Sequence, residues 1–240
     1  MSTPAGDIEI LFEDDHLIAV VKPAGLPTAN AARGQESLFT ILQQRHGSGA
    51  FVGIVSRLDA VVSGVVVVAK TSSAAANLAE QFRERTVEKA YAAIVTGRFP
   101  APLNAWVDWR DAISRREGAH ASVVHPAEEA RDGGGDEAPR AAHVRARVVQ
   151  RAGEVSLVEL EPSTGRRHQL RLQLASRGCP IVGDRLYGSR QPCRTGGIAL
   201  HATRLAVAHP VTHEQLVFSC PCGNAWREAF PSVFRGDSRA

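Results

Sequence analysis

In the stretch SRLDAVVSG, residues 56 to 64, a guanidinium (Arg57) and a carboxylate (Asp59) stand two positions apart. An apolar lead-in precedes them (Phe51, Val52, Ile54, Val55) and an apolar run follows (Val65 to Val68). Desolvation favours the neutral form of a carboxylate and a neighbouring guanidinium favours the charged form. A carboxylate held charged in a partly dry pocket can serve as nucleophile or base. An aspartate that simply caps a turn before a strand has the same local sequence, and the stretch alone leaves both readings open.

A second candidate lies in STGRRHQLRLQLASRGCPIVGDRLYG, residues 163 to 188. Residues 163 to 194 hold seven arginines (166, 167, 171, 177, 185, 190, 194) and one acid, Asp184. That window carries +6 of a chain whose net charge is +3, which leaves −3 for the remainder. A basic segment on a slightly acidic body suits a polyanion or phosphate partner, and equally an arginine-rich solvated surface. Leu170 and Leu174 at i, i+4 predict a helix over 166–177, stopped by Gly178, with Arg167 and Arg171 on one face. Its start at Thr164-Gly165 would offer free backbone N–H groups to a phosphate.

A third set, His209, His213, Cys220 and Cys222, has poor spacing for a zinc site, and the four cysteines form no CxxC pair. Free thiols and no metal are expected.

These residues need elements to hold them. Strands are expected at Ile8–Phe12 and Leu17–Val21, split by the turn-forming cluster Glu13 to His16 and ended by Lys22-Pro23-Ala24-Gly25. A helix is expected over Ser37–Arg45, a buried strand over Val65–Ala69, and a helix capped by Ser72 with Ala75, Leu78, Ala79 and Phe82 as its core stripe. Tyr91–Val95 reads as a strand. His143–Val149 and Val155–Leu160 read as a hairpin around Gly153, and Ile198–Ala202, Arg204–Ala208 and Gln215–Phe218 as later strands. Residues 111–142, rich in Ala, Arg, Glu and Gly, predict a mobile insertion. Several hairpins with few crossover helices point to an α+β fold with a mainly antiparallel mixed sheet flanked by helices and loops.

At 240 residues the chain suits one domain, expected over 8–233, with flexible ends at 1–7 and 234–240. Aromatics make up only 5% of the chain, so aliphatic side chains must build the core. No apolar run approaches the length needed to cross a bilayer, and MSTPAGDIEI lacks a basic segment followed by an apolar stretch. A cytoplasmic monomer is expected.

Four stretches, in order, resemble the RluA family of RNA pseudouridine synthases, over about residues 8 to 230. ILFEDDHLIAVVKPAGLPT resembles the family's opening hairpin and lysine-proline-glycine loop, and SRLDAVVSGVVVVAKT the signature around its catalytic aspartate. QFRERTVEKAYAAIVTG resembles the segment that supplies its active-site tyrosine. LEPSTGRRHQLRLQLASRGCPIVGDRLYG resembles its third motif, followed by ALHA at 199–202. The resemblance implies the pseudouridine synthase catalytic fold and isomerisation of uridine to pseudouridine in ribosomal or transfer RNA, with no cofactor. It implies Asp59 as the catalytic aspartate, Arg171 as the arginine that pairs with it, and Tyr91 as the residue that stacks on the target base. Leu200 would pack on the other face of the base. Arg57 would help rearrange the RNA, and Arg166, Arg167 and His168 would bind substrate.

The sequence departs from the family signature at Ser56, where the family has histidine, and at Val62, where it has threonine. Val21 replaces a frequent asparagine. These changes flank the aspartate and bear on RNA selection and rate. The small N-terminal RNA-binding domain of many ribosomal relatives is not expected here. The competing readings are a non-catalytic RNA-binding protein on a degenerate synthase fold and a glycoside or nucleoside hydrolase. The hydrolase would need a second carboxylate that no motif supplies.

Overall fold

A strand such as Val65-Val66-Val67-Val68, apolar at every position, must be covered on both faces. The computed structural model shows how. It describes residues 8–29, 31–32, 34–47, 49–115, 121–131 and 138–234. Its elements are β1 (Glu9–Glu13), β2 (Leu17–Lys22), α1 (Leu38–His46), β3 (Gly53–Ile54), β4 (Ser63–Ala69), α2 (Ser72–Glu84), β5 (Glu88–Thr96), β6 (Val107–Arg115) and β7 (Ser122–His125). There follow β8 (Arg140–Ala152), β9 (Val155–Pro162), α3 (Gln169–Ala175), β10 (Leu200–Ala208), β11 (Gln215–Ser219), α4 (Asn224–Ala229) and α5 (Pro231–Phe234). Short 3-10 turns cover Ala127–Glu129 and Arg185–Tyr187. This is the expected α+β arrangement, mainly antiparallel. The chain divides into two compact units, one of Met1–Lys89 with His201–Pro221, the other of Ala90–Leu200 with Cys222–Ala240.

In the first unit the strands run β1-β2-β4-β10, with β11 on β10 and β3 on β4. The β4–β10 pair is parallel and the others are antiparallel. Alternation along β2 and β4 splits their side chains between two cores. Leu17, Ala19, Val65, Val67 and Ala69 pack with Ala74 and Leu78 of α2 and with Leu205, Val207 and Phe218. Ile18, Val20, Val66 and Val68 pack with Leu38 and Leu42 of α1. Burial of each such valine, leucine, isoleucine or phenylalanine side chain contributes about 1.5–3 kcal/mol before entropy is counted. Ser37 and Thr40 close the start of α1 with a reciprocal capping box. Thr71 caps α2 by accepting the Ala74 N–H, one residue before the expected Ser72.

The second unit has the strand order β5-β9-β8-β6-β7, all antiparallel. On β8, Ala142, Val144, Ala146 and Val148 point inward, while Arg145 and Arg147 pair outward with Glu161 and Glu159 of β9. Leu172 of α3 packs on Ile113 and Ala142.

Three expectations change. The predicted insertion at 111–142 supplies the end of β6, all of β7 and the start of β8; residues 116–120 and 132–137 lie outside the described residues. Composition concealed these strands because their inward residues are small (Ala112, Ala142) or few (Ile113, Val124). Ile198–Ala202 and Arg204–Ala208 are not two strands; Leu200–Ala208 is continuous. The predicted N-terminal tail, 1–7, and residues 235–240 are outside the described set, whereas Phe234 ends α5.

Candidate functional site

The loop that carries Asp59 is fixed from the β2 side. Lys22, at the end of an apolar strand, is fully buried. Its ammonium donates to the carbonyls of Pro23 (2.8 Å), Leu26 (2.7 Å) and Ala60 (3.3 Å). Three donors thus meet three acceptors, as a buried ammonium requires. Burial pushes the Lys22 pKa down to about 8, against the pull of the nearby Asp59 carboxylate. Gly25, at φ 91°, turns its N–H onto the Ala60 carbonyl at 2.7 Å. Thr28 holds both backbone groups of Leu58, donating to its carbonyl at 2.8 Å and accepting its N–H at 3.2 Å. The Val62 N–H closes the turn on the Asp59 carbonyl at 3.0 Å. Leu58 and Ala60, the neighbours of Asp59, are therefore pinned. Asp59 itself is half-buried and Arg57 is exposed.

Ser63, four residues beyond Asp59, adds a second anchor. Its hydroxyl meets Nδ1 of His201 at 2.8 Å, and Nε2 of His201 meets the Cys220 carbonyl at 2.9 Å. A carbonyl can only accept, so Nε2 carries the proton and Nδ1 accepts from Ser63. Burial pushes the His201 pKa below its ordinary 6.5, with the Cys220 hydrogen bond opposing, which favours this neutral form. Gly64, at φ 119°, lets β4 meet β10 where a Cβ would lie 2.3 Å from the Ala202 carbonyl oxygen.

In the second unit Arg171 is buried on α3 and makes a bidentate pair with Asp184, Nε to Oδ2 at 2.7 Å and Nη2 to Oδ1 at 2.8 Å. Its guanidinium lies 5.0 Å from the centre of the Tyr187 ring. Such forked, aromatic-backed seating fixes both the position and the plane of the guanidinium.

The helix behind this arginine is shorter than predicted. It spans Gln169–Ala175, and His168 before it has a left-handed backbone, φ 55°. The Gln169 side chain takes the Thr164 hydroxyl at 2.8 Å and the Arg166 N–H at 3.0 Å, folding 164–168 into a turn. Thr164-Gly165 is therefore not a helix start, and the expected phosphate seat there does not form. Arg167 stands in the turn, exposed, and shares no helix face with Arg171. Arg166 donates from Nε to the Ala141 carbonyl at 3.0 Å, and His168 meets the Tyr187 hydroxyl at 2.7 Å. Tyr91 is half-buried on β5 opposite Leu160 of β9, and Leu200 is buried.

Arg166, Arg167, His168 and Arg171 thus gather around one turn of the second unit, and Arg57 and Asp59 on one loop of the first. Lys22, Thr28, Ser63, His201, Asp184 and Tyr187 were not singled out from the sequence as site residues. Two carried a signal: Lys22 ends an otherwise apolar strand, and Asp184 is the one acid in the basic window. His209 serves the fold, its Nε2 donating to Asp14 at 2.8 Å and its Nδ1 accepting the N–H groups of Val211 and Thr212. Among the described residues no group of three His, Cys, Asp or Glu side chains could hold a metal ion.

The chain belongs to the RNA pseudouridylate synthase family, whose profile matches residues 16–176, and to its RluA branch of isomerases. It is 35% identical over 220 residues to the uncharacterized RNA pseudouridine synthase YhcT of Bacillus subtilis, covering 90% of this chain and 69% of the relative. It is 33% identical over 216 residues to the dual-specificity RNA pseudouridine synthase RluA of Escherichia coli, covering 88% and 92%. Among solved structures, human RNA pseudouridylate synthase domain containing 4 superposes with a TM-score of 0.74 at 26% identity, covering 94% of this chain and 93% of the other.

Proposed function

We propose that this enzyme isomerises specific uridines in ribosomal or transfer RNA, with Asp59 as the catalytic aspartate. The observation that carries the reading is the pinning of Leu58 and Ala60 by Thr28, Gly25 and Lys22, which leaves the Asp59 carboxylate on a fixed backbone. The reaction breaks the C1′–N1 bond, rotates the uracil and rejoins it through C5. Attack of Asp59 on the sugar and removal of the C2′ proton by Asp59 both need a carboxylate held in one place. Arg171 serves the catalytic step, Tyr91 stacks on the base and handles the late proton transfer, and Leu200 packs on the opposite face of the base. Arg57 acts on the RNA strand, and Arg166, Arg167 and His168 contact substrate. A uracil inside folded RNA must first be flipped out. The exposed Arg185, Arg190 and Arg194 are suited to the flanking phosphates. The enzyme works without cofactor, as a monomer, in the cytoplasm. No helix among the described residues is long and apolar enough to cross a membrane.

Tritium release from RNA labelled at uracil C5 tests the reading. The wild-type protein releases tritium and Asp59→Asn releases none above background. Release by Asp59→Asn at the wild-type rate would overturn the assignment. The rival reading, a degenerate RNA-binding fold suggested by Ser56 and Val62, expects no release from either protein.

A further inference from the structure

The stretch read from sequence as an insertion, 111–142, meets the Arg171 neighbourhood at several side chains, of which Tyr187 also touches Arg171 itself. The Tyr187 hydroxyl lies 3.0 Å from the Ser122 backbone nitrogen, at the start of β7, and 2.7 Å from Nδ1 of His168. A phenol has one proton to give and can accept another. It accepts the Ser122 N–H and shares a hydrogen bond with Nδ1 of His168. The ring of the same residue lies under the Arg171 guanidinium and packs with Leu172 against Ile113, Ala142 and Val124. Asp184, which forks onto Arg171, opens the same tight turn, its carbonyl accepting the Tyr187 N–H at 3.2 Å and the Ser189 N–H at 3.0 Å. One turn therefore supplies both the carboxylate and the aromatic face that seat Arg171. Its hydroxyl also fixes the ring of His168, a residue held in a left-handed backbone.

We propose that Tyr187 is a positioning residue that ties β7 to His168 and Arg171, making β7 a working part of RNA binding. This rests on the function proposed above. The two ends of the side chain have separable roles. The hydroxyl orients His168 and β7, and through them substrate binding. The ring backs Arg171, which serves the chemistry.

Tyr187→Phe keeps the ring and removes the hydroxyl; Tyr187→Leu removes both. For Tyr187→Phe we expect hydrogen exchange at the Ser122 amide to quicken severalfold. KM for RNA should rise roughly two- to tenfold, the worth of a lost hydrogen bond, with kcat within twofold. For Tyr187→Leu kcat should also fall, by roughly tenfold. Circular dichroism and thermal melting check that both variants fold. Unchanged Ser122 exchange in Tyr187→Phe overturns the tie. Faster exchange with unchanged KM overturns its role in RNA binding, and a fall in kcat alone places the hydroxyl outside substrate positioning. If the wild-type protein forms no pseudouridine, the proposed function fails separately. The tie is then judged by Ser122 exchange and by the affinity of a fluorescein-labelled ribosomal RNA fragment, which Tyr187→Phe must weaken.

Discussion

A lysine buried at 0% exposure beside a half-buried aspartate makes the loop's geometry depend on one ammonium. Lys22→Met removes the donor that three carbonyls share, and kcat should fall roughly ten- to a hundredfold, as slight misplacement of a reacting group does. Steady-state kinetics with a single RNA substrate check this; an unchanged kcat would show that Gly25 and Thr28 suffice. The Lys22 pKa, about 8 in the fold against 10.5 ordinarily, also fixes a pH trend. Between those values the unfolded chain binds more protons, so the Lys22 contribution to stability rises with pH across that window, by on the order of 1–3 kcal/mol. Urea unfolding at pH 8 and pH 10 should show this rise reduced in Lys22→Met. His201 obeys the same rule near neutrality. Its lowered pKa makes its contribution full above 6.5 and lost as the pH falls below it. Urea midpoints at pH 7.5 and 5.5 should therefore drop further for the wild type than for His201→Gln. The types and order of the motif residues were legible in the sequence, Asp59 above all. Their partners were not, because Lys22–Ala60, Thr28–Leu58 and Ser63–His201 join residues 30 to 138 positions apart.

Strands with strong apolar alternation or continuous apolar runs were readable to within a residue or two: β2, β4, β9 and β11. β6 was missed because Asp111 interrupts the inward series of Val107, Trp109 and Ile113, and only the fold reveals that Arg177 and Gln173 pair with that carboxylate. The start of α3 was misplaced because its delay comes from side-chain bonds of Gln169 and a left-handed His168, neither written in hydrophobic spacing. The close crossing of β4 and β10 yields a sharp prediction. Gly64→Ala places a methyl 2.3 Å from the Ala202 carbonyl oxygen and 2.4 Å from its nitrogen, at a φ that L-residues avoid. Loss of several kcal/mol is expected, on the order of the largest single-residue effects. Soluble yield and urea midpoint measure it; wild-type stability would mean that the two strands can part without cost.

The whole-molecule charge pattern was visible in the sequence, but not its division of labour. Of the seven arginines in the +6 window, Arg171 pairs with Asp184 and Arg177 with Asp111, while Arg185, Arg190 and Arg194 are exposed. Replacing these three with glutamine should lower the slope of log affinity against log salt by about 2, at roughly 0.7 for each phosphate no longer neutralised on a single strand. The same replacement of Arg98 and Arg110, exposed arginines outside the window, should leave the slope near its wild-type value. Fluorescence anisotropy over a salt series reads both.

Whether Asp59 isomerises uridine in cellular RNA is decided by mapping pseudouridine across total RNA with carbodiimide labelling and reverse transcription. Cells with the wild-type protein are compared with cells lacking it and with cells carrying Asp59→Asn at equal expression. If Asp59 is the catalytic aspartate, one or a few uridines in ribosomal or transfer RNA lose the modification in both altered strains. Sites lost in the deletion but retained with Asp59→Asn would contradict that role.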